Sequence, residues 1–478
     1  MDSASIQFVL FGLVVACLSN LRRSRAWRSS LLLIASFVFL GSLSHGLVAF
    51  LPLALFLFIG YAGLFLIERR LSRALVLSVV AIIFVYVWLK KYTFLPEGGF
   101  LRFPYFTLGL SYIFFRVLHL LIEAGDQPTD RRIGVGAYLT YTLNFTTFVS
   151  GPIQRYDEFA RDQFAEQPIA LGADVVGLQI ERIIRGFFKV NVLAMLLKMI
   201  QANALAQLLQ PWPLSVKLFA AFRVASIYPF FLYANFSGYI DIVIALARLL
   251  RIRLPENFDR PFSASSFLDF WNRWHITLST WLKTYVYNPL LLALMRRVTS
   301  QTLQPFLGVL CFFVTFFLIG VWHGRTSEFM VFGVLQGGGV AINKLWQLWL
   351  TSRLGRKSYK ALAANQIYIS FGRGLTFSWF AFTLFWFWGS WKQIDGVFTS
   401  LSVLQWSGVW LVVWLSATLV MAVWEWLRAL LLSIKTGEQP IFTSRYARVV
   451  YATTFGVIAF VMAVLLSQPA PDIVYKAF

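Results

Sequence analysis

Long apolar runs separated by short charged loops dominate this chain of 478 residues. The runs lack the strict alternation that half-buried strands would show. Crossing hydrocarbon takes roughly 20 apolar residues whose backbone groups bond to one another, which favours helices over a barrel. We therefore predict an all-α, polytopic bundle of about 11 transmembrane helices. The supporting runs cover residues 6–18, 30–43, 47–67, 75–89, 105–122, 134–151, 218–250, 305–322, 329–350, 375–391, 403–427 and 449–466.

The composition agrees with a membrane location. Hydrophobic residues make up 58% of the chain and charged residues 13%, whereas a soluble domain carries about 25% charged residues. Lys and Arg number 42 against 21 Asp and Glu, a net charge of +21. These charges lie in loops between the runs, where the positive-inside bias and anionic lipid headgroups favour them, so we expect a lipid bilayer and no nucleic acid as partner.

Loop charges also predict the orientation. Basic loops at 22–28 and 68–73 are expected in the cytoplasm, which places the N-terminus outside it. The first run has no basic region before it and no cleavage pattern after it, so we interpret it as a retained span. The basic stretch 351–374 is expected to be the longest cytoplasmic loop of the C-terminal part.

Three further segments carry polar residues among apolar ones. The spacing of Arg182, Arg185 and Lys189 predicts a basic amphipathic helix, in the interface or lining a polar cavity. The run 218–250 is long enough for two passes, and its central polar residues predict a bend that faces the protein interior. Those residues are Asn235, Ser237 and Asp241. The Gly-Pro pair at 151–152 should end the run before it.

The stretch 251–283 is unlike a simple span. Ser266 and Asp269 form a capping-box pattern that predicts a helix starting at Phe267. On that helix the polar side chains of Asn272, His275 and Ser279 would share one face that cannot point to lipid. We expect it to be an amphipathic helix lining a cavity.

Two of the four histidines stand out. His323 follows an uncharged run, His275 lies 48 residues upstream, and each has a tryptophan beside it. A histidine suits proton transfer near neutral pH, and a pair of them suffices for acyl transfer. A histidine beside tryptophan can equally be structural, and we assign His45 and His119 to that class. Nucleophile-elbow, Walker, zinc and Cys-x-x-Cys patterns are absent from the sequence, and no metal site is predicted.

Five segments in order resemble the core of the membrane-bound O-acyltransferase (MBOAT) family. They cover residues 148–156, 233–241, 253–261, 270–282 and 320–324. The order and spacing match from about residue 101 to 346, and residues 472–478 resemble the ending of the bacterial polysaccharide-acetylating branch. This sequence departs from the family pattern at Asn235, where an Asp is usual, and at Gln336, where a His is common.

The resemblance implies a single membrane-embedded domain over residues 1–478, with a central funnel or tunnel and in-plane amphipathic helices. Residues 101–346 would be its core, and residues 1–100 and 347–478 would supply peripheral helices. His323 would be the catalytic residue, with His275 close by. We expect the substrate to contact residues of the matching motifs, namely Asn235, Tyr239, Asp241, Asn272, Arg273, Trp274, Ser279 and Trp322.

The family resemblance further implies a multi-pass protein of the bacterial inner membrane without a bound cofactor. The acyl donor would be acetyl-CoA or an acyl-carrier thioester, and the reaction would O-acetylate an exopolysaccharide such as alginate or cellulose. Because the loops are short, we expect an extracytoplasmic acetyltransferase partner to hold the polysaccharide acceptor. The alternatives are a D-alanyl transferase of the teichoic-acid type and a non-catalytic scaffold or transporter of a secretion complex.

Overall fold

A computed structural model describes residues 5–466, apart from 45, 102, 127–131, 437–438 and 441–443. The described residues are mostly helical, as predicted. The helices of the N-terminal part are α1 (Ile6–Asn20), α2 (Arg25–Gly41), α3 (Leu51–Glu68), α4 (Ala74–Leu89), α5 (Leu110–Asp126), α6 (Val135–Thr142), α7 (Tyr156–Gln163), α8 (Ala173–Phe188), α9 (Met195–Leu209) and α10 (Leu214–Leu249). Those that follow are α11 (Phe267–Trp271), α12 (Ile276–Leu282), α13 (Asn288–Arg297), α14 (Gln304–His323), α15 (Ser327–Ala364), α16 (Gln366–Thr383), α17 (Phe385–Trp388), α18 (Trp391–Thr399), α19 (Val403–Ser433) and α20 (Arg445–Leu466).

Shorter elements connect these helices. Three 3-10 turns lie at Leu47–Phe50, Glu97–Gly99 and Pro261–Ser263. Two π-helical stretches lie at Lys189–Ala194 and Lys283–Tyr287. The strands β1 (Lys435–Thr436) and β2 (Gln439–Pro440) pair antiparallel.

Within the described residues, four helical segments are long and apolar enough to cross a bilayer: Leu47–Glu68, Leu214–Leu249, Gln304–His323 and Val403–Ser433. Two shorter apolar helices, α1 and α4, accompany them. The protein is a polytopic membrane protein. The count of about 11 spans stays a prediction.

The chain divides into two compact units. The first comprises the described residues of Met1–Val190 and Phe236–Glu256. Its core contains a cluster of aromatic rings, in which Phe8, Phe39 and Phe145 lie 5.5–6.3 Å apart between ring centroids. The buried guanidinium of Arg116 donates hydrogen bonds to the carbonyl oxygens of Thr142 (2.9 Å) and Thr147 (2.5 Å), and so holds the turn after α6.

The second unit comprises the described residues of Asn191–Asn235 and Asn257–Ser467. One of its apolar cores is built by α9, the first part of α10, and α16 to α19. Another packing surface joins α15 to α14, the helix that ends at His323. The fully buried residues of the first core include Ala204, Leu208, Ala220, Ala221 and Val397.

Three predicted element boundaries are wrong. Residues 218–250 do not make two passes, because α10 is one continuous helix of 36 residues. The stretch 351–374 is mostly helical and not a loop, since α15 bends at Gly355 (φ +78°) but continues to Ala364, and α16 begins at Gln366. Lys, Arg, Ala and Leu are good helix formers, so the helix persists after the apolar pattern ends. The run 134–151 stops being helical at Thr142, well before the Gly-Pro pair.

Small residues allow α14 and α15 to pack closely. A Cβ atom on Gly320 of α14 would lie 2.2 Å from the Cα of Gly333 on α15. A Cβ atom on Gly337 would lie 2.6 Å from the carbonyl oxygen of Phe313. Backbone therefore meets backbone here, which is how helices associate where lipid supplies no hydrophobic drive.

We predict that Gly320→Ala lowers the free energy of unfolding by about 1–3 kcal/mol, because the new methyl group overpacks the contact with Gly333. Thermal or denaturant unfolding in detergent measures this. Gly338→Ala is the matched control, since a Cβ atom there meets nothing within 4 Å. Equal stability of the two variants would contradict the close contact.

Candidate active site

His323 is the last residue of α14 and is buried, with 2% of its surface exposed. The helix ends there because Gly324 adopts an extended conformation. A Cβ atom on Gly324 would lie 2.0 Å from the ring of Phe329, so this turn requires glycine. The imidazole ring stands edge-on to the rings of Phe332 and Phe387, at centroid distances of 5.9 and 5.2 Å.

His275 lies between α11 and α12 and is fully buried. Its φ of +46° is in the left-handed region. Two backbone bonds impose this conformation: the N–H of Asp259 donates to the carbonyl of Arg273 (2.9 Å), and the N–H of Ile276 donates to the carbonyl of Asn257 (3.0 Å). The chain before α11 thus pairs with the residues around His275 in an antiparallel bridge.

The prediction of a single amphipathic helix from residue 267 is therefore wrong beyond Trp271, where α11 ends. Its start is confirmed, since the Oγ of Ser266 accepts from the N–H of Asp269 at 3.2 Å. The break at His275 means that Asn272, His275 and Ser279 do not share a helical face. Asn272 is exposed, whereas the Oγ of Ser279 is buried and has no hydrogen-bond partner among the described residues.

Trp322 joins the two histidines. Its indole ring lies 4.7 Å from the His323 ring and 6.2 Å, edge to face, from the His275 ring. All three side chains are buried. The structure thus brings His275, Trp322 and His323 into one aromatic cluster, although the two histidines belong to different helical elements.

Burial lowers the pKa of His275 to about 3. The side chain is therefore neutral at physiological pH, because its protonated form would lose hydration in this enclosure. A neutral imidazole keeps one nitrogen as a hydrogen-bond acceptor. The neutral His275 therefore adds no charge to the site, and its imidazole can still accept a hydrogen bond or a proton.

Two residues predicted to contact substrate, Arg273 and Trp274, instead contact other residues of the protein. The guanidinium of Arg273 bonds to the carboxylate of Asp269 at 3.0 Å and lies 3.5 Å from that of Asp259. The Trp274 ring is buried, stacked on Phe270 at 5.5 Å. These residues hold the backbone directly before His275, and Asn235 is also fully buried in this unit.

Sequence reasoning missed two buried polar residues beside the cluster. Gln336, noted only as a departure from the family pattern, accepts from the indole N–H of Trp271 (3.3 Å) and donates to the hydroxyl of Thr383 (2.8 Å). The amide oxygen of Asn257 accepts from the N–H and the hydroxyl of Thr277 at 3.0 and 2.9 Å, which caps α12 from a distant loop. In advance, Gln336 was signalled by its departure from the family pattern, and Asn257 only by its place in the family segment 253–261.

Tyr239 and Asp241 belong to the first unit, where Tyr239 is fully buried. The Asp241 carboxylate meets the three cations of the predicted basic helix: Arg182 at 2.9 Å, Lys189 at 2.8 Å and Arg185 at 3.5 Å. The prediction that these three cations share one face is confirmed. Arg182 also forms a two-pronged pair with Glu256 at 2.6 and 2.7 Å.

The remaining histidine of the described residues has structural contacts. The Nδ1 of His119 bonds to the carbonyl of Phe115 at 3.2 Å, and its Nε2 accepts from the N–H of Tyr156 at 3.2 Å. This ring holds the start of α7, which agrees with a structural interpretation. His45 lies outside the described residues.

Comparison with known proteins decides the family. Residues 130–376, about half of the chain, match the sequence model of the membrane-bound O-acyltransferase family. Both histidines of the cluster fall inside the match. The chain belongs to this family.

Relatives of this MBOAT protein come from two branches. A teichoic acid D-alanyltransferase of Streptococcus thermophilus is 32% identical over 247 residues, which cover 50% of this chain and 57% of the relative. A probable alginate O-acetylase of Pseudomonas aeruginosa is 30% identical over 339 residues, covering 66% of this chain and 61% of the relative. That of Pseudomonas fluorescens is 31% identical over 239 residues, covering 50% and 44%. The chain spans about half the length of the relatives that it matches.

We predict that Asp241→Asn in this MBOAT protein costs about 3–5 kcal/mol of unfolding free energy, because it leaves cations without their shared, largely buried partner. Glu256→Gln is the matched control. Its carboxylate is 60% exposed, against 10% for Asp241, so its loss should cost about 0–1 kcal/mol. Unfolding in detergent compares the two, and similar costs would contradict a central role for Asp241.

Proposed function

We propose that this protein is an acyltransferase that passes an acetyl group from a cytoplasmic thioester donor across the inner membrane for O-acetylation of an exopolysaccharide such as alginate or cellulose. The observation that carries the proposal is the buried His275–Trp322–His323 cluster, which falls within the family match. The N-terminus lies on the extracytoplasmic side in this proposal.

His323 acts as general base. Its imidazole takes the proton from an acceptor hydroxyl while the hydroxyl oxygen attacks the thioester carbonyl. A carbon–oxygen bond forms, the carbon–sulfur bond breaks, and the proton passes to the departing thiolate. A histidine held in a dry site is suited to both proton transfers.

His275 supports this chemistry from the other side of Trp322. As a neutral imidazole it can donate or accept a hydrogen bond without adding a charge to the enclosure. Trp322 and Ser279 would contact the substrate, and the unpartnered hydroxyl of Ser279 supports that role. Arg273 and Trp274 act through their positions beside His275, and Asn272 would meet the donor at its exposed site.

The donor is acetyl-CoA or an acyl-carrier thioester, and the protein itself binds no cofactor in this proposal. The acetylating branch is favoured over the D-alanylating one because the match to the Pseudomonas aeruginosa protein extends over 66% of the chain, against 50% for the Streptococcus thermophilus protein. Transfer of D-alanine is the second candidate, supported by the 32% identity to the latter. A non-catalytic scaffold or transporter would not need the buried histidine pair.

We predict that His323→Ala lowers the rate of acyl transfer by about 100 to 10,000-fold, the range that a general base contributes. His275→Gln keeps a hydrogen-bonding side chain and should lose less. Transfer of a radiolabelled acetyl group by protein in vesicles, with the extracytoplasmic partner and the polysaccharide outside, measures both. Unchanged detergent stability of the variants is the control, and transfer retained by His323→Ala would refute the assignment.

The acceptor polymer is held by a second protein, an extracytoplasmic acetyltransferase, because a polysaccharide needs an extended polar groove. We predict that vesicles carrying labelled acetyl donor inside and polysaccharide outside show little acetylation of the polymer by this protein alone. Adding the partner should start the reaction. Efficient acetylation without a second protein would refute this division of labour and leave the role of His323 intact.

A further inference from the structure

A groove of about 700 Å³ opens on the second unit between α10 and α19. Both of these helices contain candidate membrane spans. The walls come from the first turns of each helix, so the groove lies at the end where both helices begin. Its apolar lining includes Leu218, Phe219, Phe222, Leu404, Val409 and Val412.

The groove offers little that a polar ligand could use. Its one polar lining side chain is Gln405. The Gln405 Oε1 already accepts from the N–H of Ser402 at 2.9 Å in the capping box of α19. Gly408 lines the floor, and a Cβ atom there would meet nothing within 4 Å. A flexible hydrocarbon chain fits such a surface, and a groove left unfilled would forfeit dispersion contacts with its walls.

Two cations flank the same stretch of α10. Lys217 directly precedes the lining residue Leu218. The guanidinium of Arg223 lies 4.7 Å from the ring centroid of Phe219 and bonds to the neutral amides of Gln207 and Asn203. The sequence has no Asp or Glu between Glu181 and Asp241. The positive charge beside the groove is therefore unopposed along this part of the chain.

The setting matches a membrane interface. Trp212, in the turn before α10, is 49% exposed, and Val403 and Leu404 at the start of α19 are 85% and 83% exposed. Tryptophan is enriched at the level of lipid headgroups, and anionic headgroups attract Lys and Arg there. A headgroup at this level would place its acyl chains alongside the apolar walls below it.

We propose that this groove is a binding site for one anionic phospholipid, with an acyl chain between α10 and α19 and the headgroup phosphate beside Lys217 and Arg223. The site is independent of the histidine cluster and of the proposed acyl transfer. It requires only that the protein lies in a bilayer.

The test uses the full chain in phosphatidylcholine vesicles that contain a small fraction of phosphatidylglycerol with a photoactivatable diazirine in its acyl chain. After irradiation, mass spectrometry locates the labelled peptides. We expect labelling to concentrate on residues 218–222 and 404–412, above that of the lipid-exposed face of α3, where Leu55 and Phe58 are exposed. Labelling spread evenly over both surfaces would overturn the proposal.

Gly408→Phe fills the groove without a backbone clash and should reduce labelling of these peptides on the order of tenfold, as expected for a lost specific contact. Gly338→Phe is the matched control, because that glycine is also helical and open, and it should leave the labelling unchanged. Equal labelling of the two variants would overturn the site.

The headgroup is tested by comparing diazirine-labelled phosphatidylglycerol with the same probe on phosphatidylcholine. Stronger labelling by the anionic lipid, reduced in Lys217→Gln, supports the charge pairing, and equal labelling by both lipids would overturn it. The label map and the lipid comparison on the unmodified protein decide the proposal even where the Gly408→Phe protein does not fold.

Discussion

A side chain that carries charge or hydrogen-bonding groups into a bilayer must find its partners inside the protein, because hydrocarbon offers none. Asp241 lies in a candidate span, and its carboxylate is met by Arg182, Arg185 and Lys189 from one neighbouring helical stretch. The spacing of the three cations brings them to the same turn of α10. One buried charge thereby holds α8 and Lys189 against the part of α10 that carries Asp241.

The same constraint operates around the histidines with neutral groups. Gln336 satisfies an indole N–H and a hydroxyl at once, so that three helices share one hydrogen-bonded chain. The amide oxygen of Asn257 accepts from the N–H of Thr277 and so caps the start of α12. The residue at the N-cap position, His275, does not cap this helix with its own side chain. Neutral amides complete these contacts without the desolvation cost of an ion pair. The cluster around His275 and His323 can therefore remain aromatic and uncharged.

The sequence predicted what depends on local pattern. The apolar run 75–89 became α4, and the capping pattern at Ser266 placed the start of α11 correctly. The family motifs placed His275 and His323 in one cluster. The break at His275 could not be predicted, because it depends on pairing with Asn257 and Asp259, a backbone contact that leaves no periodic signal. The continuity of α10 could not be predicted either, because polar residues inside a long apolar run are compatible with a bend and equally with a buried ion pair in a straight helix.

The positive φ of His275 explains how two distant histidines come to one site. A continuous helix from residue 267 would carry position 275 about two turns along its axis, with its side chain direction fixed by the helical period. The left-handed residue releases that restriction and starts a new helix in another direction. Left-handed conformations are costly for residues with a Cβ atom and persist where surrounding bonds over-determine them. Here the backbone bonds of Asn257 and Asp259 hold His275 in this conformation. In the proposed reaction, the loop before α11 therefore positions His275 as much as the helices do.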